Sequence, residues 1–107
     1  MLVSLISSMT IHQTLQTEIE DSKRWIEYTQ EESTYKRDLY KRLELINWVL
    51  EKMNDPDIPI CEIIEAKMNI INARINRIDD ALDADQLHSE LRILDWILYQ
   101  VVLTKNR

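Results

Sequence analysis

Glu62 and Glu65 stand three residues apart, and so do Asp80 and Asp83. On a helix that spacing puts both carboxylates of a pair on one face, where their oxygens can hold a hard cation such as Mg²⁺. The plainer account is a solvated helix face for the first pair and a capped helix start for the second. Asp85 and His88 form one D-x-x-H set. A carboxylate-bridged di-iron bundle needs a Glu-x-x-His set on each of two helices and two further glutamates, so His88 is expected to be a rim residue. Cys61 is the only cysteine and lies within the apolar stretch "IPICEII". Neither His12 nor His88 is placed to activate its thiol, and the residue is expected to serve as a small buried hydrophobe. Lys36, Arg37, Lys41 and Arg42 form the one basic cluster. It suits a small phosphate or acidic-partner patch, or simply a wet helix face on which Asp38 and Arg42 pair at i,i+4.

The E-x-x-E of "EIIE" followed by the D-x-x-D of "DALD" resembles the Mg²⁺-binding pattern of all-helical nucleotide pyrophosphohydrolases, E-x-x-E then E-x-x-D. The resemblance implies Mg²⁺-dependent nucleotide hydrolysis on Glu62, Glu65, Asp80 and Asp83. It covers four positions, and Asp80 stands where that family has Glu. "DDALD" is also similar to the aspartate-rich motif of isoprenoid synthases. Those are much larger enzymes with a second such motif, which this chain lacks.

The chain has 107 residues, enough for one core and one domain. It contains no Gly and only two Pro, Pro56 and Pro59. Sheet proteins use Gly in tight turns and bulges, so its absence predicts an all-helical fold. It also removes any P-loop or Gly-rich phosphate cradle. The net charge is −6, and residues 1–54 carry 7 basic and 9 acidic side chains against 6 and 10 in the remainder. Neither half is basic, which disfavours broad nucleic-acid binding. A single cysteine forms no intrachain disulfide, so a reducing compartment, the cytoplasm, is expected. The opening "MLVSLISSM" has no basic n-region, and serines interrupt its apolar run. It is too short to span a bilayer and is expected to be a short extension over residues 1–9, with Met9 a candidate natural start.

Apolar periodicity supplies the organisation. Cys61, Ile64, Met68, Ile71, Ile75, Ile78 and Leu82 are spaced 3, 4, 3, 4, 3, 4, a heptad seam. Leu87, Leu91, Leu94, Leu98 and Val101 form a second seam, and the five-residue step from Leu82 to Leu87 breaks register. "DDALDADQ" places Asp83 three residues before Gln86, a capping-box pattern, so a turn is expected near residues 83–85. Leu39, Leu43, Ile46, Leu50 and Met53 repeat the second seam 48 residues earlier. His12, Leu15, Ile19, Ser22, Ile26, Thr29 and Ser33 repeat the first 49 residues earlier, with poorer residues. "NDPDIP" ends the first repeat, because Pro and the residue before it resist helix. The chain therefore reads as an antiparallel helical bundle of two repeated hairpins, residues 10–54 and 60–107, joined by a linker at 55–59. The alternative is two helices of about 45 residues folded into a coiled-coil hairpin that dimerises.

The words "LELINWVL" (43–50) and "LRILDWIL" (91–98) match position for position in hydropathy. Leu43 and Leu50 take heptad position a and Ile46 takes d, which leaves Trp48 opposite the seam, and Trp96 likewise. Leu45 and Val49, with Ile93 and Ile97, widen the apolar surface round both helices. Such helices are buried on more than one side. Either the tryptophans pack within the bundle, or Trp48, Trp96, Leu45, Val49, Ile93 and Ile97 form a candidate interface. The expected function is that of a small non-enzymatic protein that binds another protein, including a copy of itself. A phage or mobile-element regulator, adaptor or inhibitor would have this size and composition. No cofactor or metal is expected. The readings from other classes are the Mg²⁺-dependent hydrolase and a nucleic-acid-associated protein using the basic cluster.

Overall fold

A computed structural model of the chain describes residues 10–29 and 33–105. The expected extension at residues 1–9, and with it Met9, lies outside the described residues. Among those described there are four helices and no strand: α1 (Ile11–Tyr28), α2 (Thr34–Met53), α3 (Ile60–Ile75) and α4 (Ala81–Lys105). The two-hairpin bundle is the observed fold, and the helix ends at Tyr28 and Ile75 within the two halves exclude the two long helices.

Each boundary has a local cause. Thr10 and Gln13 close a reciprocal capping box at the start of α1, with Gln13 N–H donating to Thr10 Oγ1 at 3.1 Å and Thr10 N–H to Gln13 Oε1 at 2.9 Å. Ser33 caps α2, its Oγ accepting from the Lys36 amide at 3.1 Å. After Met53, the Asp55 side chain accepts from the Asp57 amide at 3.0 Å, and Pro59 leads into α3. At the last junction Asp80 Oδ1 accepts from the amides of Leu82 at 2.8 Å and Asp83 at 3.3 Å.

Three details differ from the sequence expectation. The break in the second half lies at residues 76–80, and Asp80 caps α4 in place of Asp83. The chain leaves α3 in tight turns, with Arg77 N–H bonded to Arg74 O and Ile78 N–H to Ile75 O, so Leu82 falls in the next helix and is 54% exposed. Ser33 and Thr29 are helix caps rather than seam positions, because short hydroxyl side chains compete for orphan backbone groups at helix ends. His12 is exposed, and its neighbour Ile11 takes the buried place.

The arrangement of the helices accounts for the doubled tryptophan word. α1 packs on α2, and α3 on α4; α2 and α4 also pack on each other, α1 reaches α4, and α3 reaches α2. The outer pair, α1 and α3, lie diagonally and do not pack together. The two helices that carry the word thus touch three neighbours each and need a wide apolar arc. The candidate interface residues Leu45, Val49, Ile93 and Ile97 are buried inside this core, not on an outer face. The repeat extends to the buried set itself. Ile11 and Ile60, Leu15 and Ile64, Ser22 and Ile71 are buried at an offset of 49. Leu39 and Leu87, Leu45 and Ile93, Ile46 and Leu94, Val49 and Ile97 are buried at an offset of 48. Among these pairs Ser22 alone is polar.

Candidate functional site

The carboxylate pairs come first. Glu62 and Glu65 are exposed on the opening turns of α3. Asp80 and Asp83 lie at the start of α4, and the Asp80 carboxylate is engaged in capping. Because α3 and α4 form a hairpin, these starts are at opposite ends of the bundle. The stretch of α3 between Glu62 and its C-terminus alone spans about 20 Å. One ion cannot bridge the two pairs within the chain. Among the described residues no group of three or more His, Cys, Asp or Glu is arranged to hold a metal. Adding Mg²⁺ or Mn²⁺ should therefore leave the melting temperature of the parent and of the double variant Glu62→Gln/Glu65→Gln unchanged. Stabilisation of the parent alone would restore the hydrolase reading.

Two of the four residues of the basic cluster, Lys41 and Arg42, tie helices together, while Arg37 is exposed. Arg42 Nη1 donates to Glu18 Oε1 at 2.6 Å, joining α2 to α1, so the expected Asp38–Arg42 pair does not form. Lys41 Nζ lies 2.7 Å from Glu44 and 3.1 Å from Glu90, joining α2 to α4. The hydrogen bond to Glu44, with the one to Glu90, outweighs partial burial and holds the Lys41 ammonium above its ordinary range. Half-exposed pairs of this kind contribute roughly 0.2–1 kcal/mol each. Their larger effect is to engage two of the four cations that a phosphate backbone would need. Asp85 and His88 are exposed, and Cys61 is half-buried against the core.

The two tryptophans differ in surroundings although they match in sequence. Both are half-buried against the core. Lys67 of α3 places its ammonium 5.0 Å from the centre of the Trp48 ring, a cation–π contact that covers it. Trp96 instead borders an open groove of about 440 Å³ with Arg92, Asp95, Tyr99 and Val102. Tyr99 is 60% exposed, and Val102 and Leu103 are exposed beside it. The residues 48 earlier are Glu44, Asn47, Glu51, Asn54 and Asp55, all polar. Tyr99, Val102 and Leu103 of α4 are thus apolar where the first repeat is polar. Sequence reading passed over Tyr99, Val102 and Leu103 because they lie off the seam; comparing the outer faces of the two repeats would have exposed them.

A second exposed aromatic group lies at the other end of the bundle. Trp25 and Tyr28 of α1 stack at an angle with ring centres 6.2 Å apart, and Tyr35 opens α2. Between these helices runs a cleft of about 360 Å³. A further concavity of about 650 Å³ lies between Arg37, Lys41, Arg74, Asp83 and Glu90, where both signs of charge are mixed. No described helix is long and apolar enough to cross a membrane. No family model, curated protein or solved structure matches the chain, so its function has to be argued from its own side chains.

Proposed function

We propose that the chain acts by binding protein rather than by catalysis, and that its partner is a second copy of itself met through the outer face of α4. The observation that supports this is the asymmetry between the repeats. Trp96, Tyr99, Val102 and Leu103 make an apolar strip on α4, and at the last three of these the first repeat carries Glu51, Asn54 and Asp55. Exposed apolar strips of this kind mark contact surfaces, and Trp and Tyr dominate the energetics of such surfaces. The choice of a second copy follows from charge. Arg92 and Asp95 lie three residues apart at the N-terminal end of the strip, where their charges cancel. Neither is in an ion pair among the described residues. A two-fold axis across the strip, with the two α4 helices antiparallel, sets the apolar side chains of one copy against those of the other. The strip is also neutral, whereas the chain as a whole carries −6 and repels itself elsewhere. A reducing cytoplasm suits the lone Cys61, and a regulator, adaptor or inhibitor borne by a phage or mobile element suits the size and composition.

The test is mass in solution. At tens of micromolar, light scattering should give about twice the 12.8 kDa of one chain. Tyr99→Glu should return it toward one chain with helicity unchanged, because that side chain is mostly exposed. A parent that stays at 12.8 kDa refutes self-association.

A further inference from the structure

We infer that the cleft between α1 and α2 binds an alkylammonium group. This rests on the other end of the bundle and is independent of the α4 strip. Its starting point is Ser22, which stands buried where the second repeat has Ile71; the other buried serine, Ser89, accepts a hydrogen bond from Arg92. Ser22 is 1% exposed, and its Oγ has no hydrogen-bond partner among the described residues. Its counterpart in the second hairpin, Ile71, fills the same place with an apolar side chain. A buried hydroxyl without a partner destabilises a fold, and one that persists at a cleft invites a ligand atom to complete it.

The walls define that atom. Ser22 lies against the 360 Å³ cleft, with Trp25 and Tyr35 on its rim, each 55% exposed, and Asp38 beside them. The two other carboxylates at the cleft are already engaged, Glu18 with Arg42 at 2.6 Å and Asp21 loosely with Arg24 at 3.8 Å. Asp38 is half-buried and has neither an ion pair nor a hydrogen bond among the described residues. Arg42 is neutralised by Glu18, so the free charge of the cleft is negative. An ammonium group matches all three features. Its N–H groups donate to the Asp38 carboxylate and the Ser22 hydroxyl, and its charge is attracted to the faces of Trp25 and Tyr35. An apolar stem lies along the rings. An anion would meet Asp38, and a neutral hydrocarbon would leave Ser22 unpaired.

The shared chemistry could come from a protein lysine or from a free polyamine. Site-resolved NMR on the full chain separates them, with N-acetyl-lysine N-methylamide and putrescine as probes and N-acetyl-norleucine N-methylamide as the neutral isostere. Either cation should shift the Trp25 indole N–H and the Ser22 amide saturably, and the isostere should not. Binding of the lysine probe alone assigns a partner's side chain; binding of putrescine alone assigns a free amine. Asp38→Asn should weaken binding by about tenfold or more, the scale of a lost charge-assisted hydrogen bond. Trp25→Leu, at an exposed position, should weaken it with the fold intact. Glu62→Gln, on the remote start of α3, should have no effect. Shifts that never saturate, that the isostere reproduces, or that Glu62→Gln reduces as much as Asp38→Asn would overturn the inference.

Discussion

Ile71→Asp should leave little folded protein at ambient temperature, whereas Asn72→Asp, one residue along, should melt almost as the parent does. Ile71 is 4% exposed within the last full turns of α3, inside the continuous core that all four helices share. An ionised carboxylate there has no cation or donor built to receive it. A buried unpaired charge costs several kcal/mol, against a total stability of about 5–15 kcal/mol for a domain. Asn72 is exposed on the same helix, and a surface change of this kind stays within about 0.5 kcal/mol. Circular dichroism melts of the two variants give the comparison directly. Equal effects would mean that the face assigned to the core of α3 is the wrong one.

The existence and type of all four helices were legible because heptad spacing and the absence of Gly point the same way. What was not legible was where a seam stops. The spacing through Ile75, Ile78 and Leu82 is unbroken in sequence, yet Asp80 seizes the amides of Leu82 and Asp83 and starts a new helix between them. A cap three residues upstream of the expected one carries Leu82 out to solvent. Periodicity sees the stripe; it does not weigh one Asp against another as a cap. The same limit applies at Ser33, which sits at a seam-type spacing but caps α2.

The inward or outward sense of the second apolar stripe was equally hidden. Leu45, Val49, Ile93 and Ile97 look alike whether a helix is covered by its own chain or by another, and only the diagonal placement of α1 and α3 shows that α2 and α4 are covered on three sides. Long-range charge partners were also out of reach. Arg42 was expected to meet Asp38 four residues away and instead meets Glu18, 24 residues away on α1. That exchange leaves Asp38 uncommitted beside Ser22, which makes the α1–α2 cleft a candidate site. Local spacing rules describe what neighbours on one helix can do; they say nothing about a better partner brought by the fold.

Ile46→Ala and Leu94→Ala should cost nearly the same. The two residues occupy the same place in "LELINWVL" and "LRILDWIL", and both are fully buried on the central pair of helices. Truncating a buried Leu or Ile to Ala loses its transfer free energy and leaves a cavity, about 2–5 kcal/mol depending on how far the site collapses. Because each residue lies on a helix flanked by both outer helices and packed on its counterpart, both sites should relax to a similar degree. Urea unfolding should return two values within about 1 kcal/mol of each other and an unchanged m-value, since the surface exposed on unfolding is the same. The double variant approaches the whole stability of a domain this size and should be largely unfolded without denaturant. If one truncation costs several kcal/mol and the other a few tenths, the halves are not mechanically equivalent, and the doubled word is a likeness of composition only. Matched costs would tie it to packing: one apolar word serves two helices because each occupies the same crowded position in the bundle.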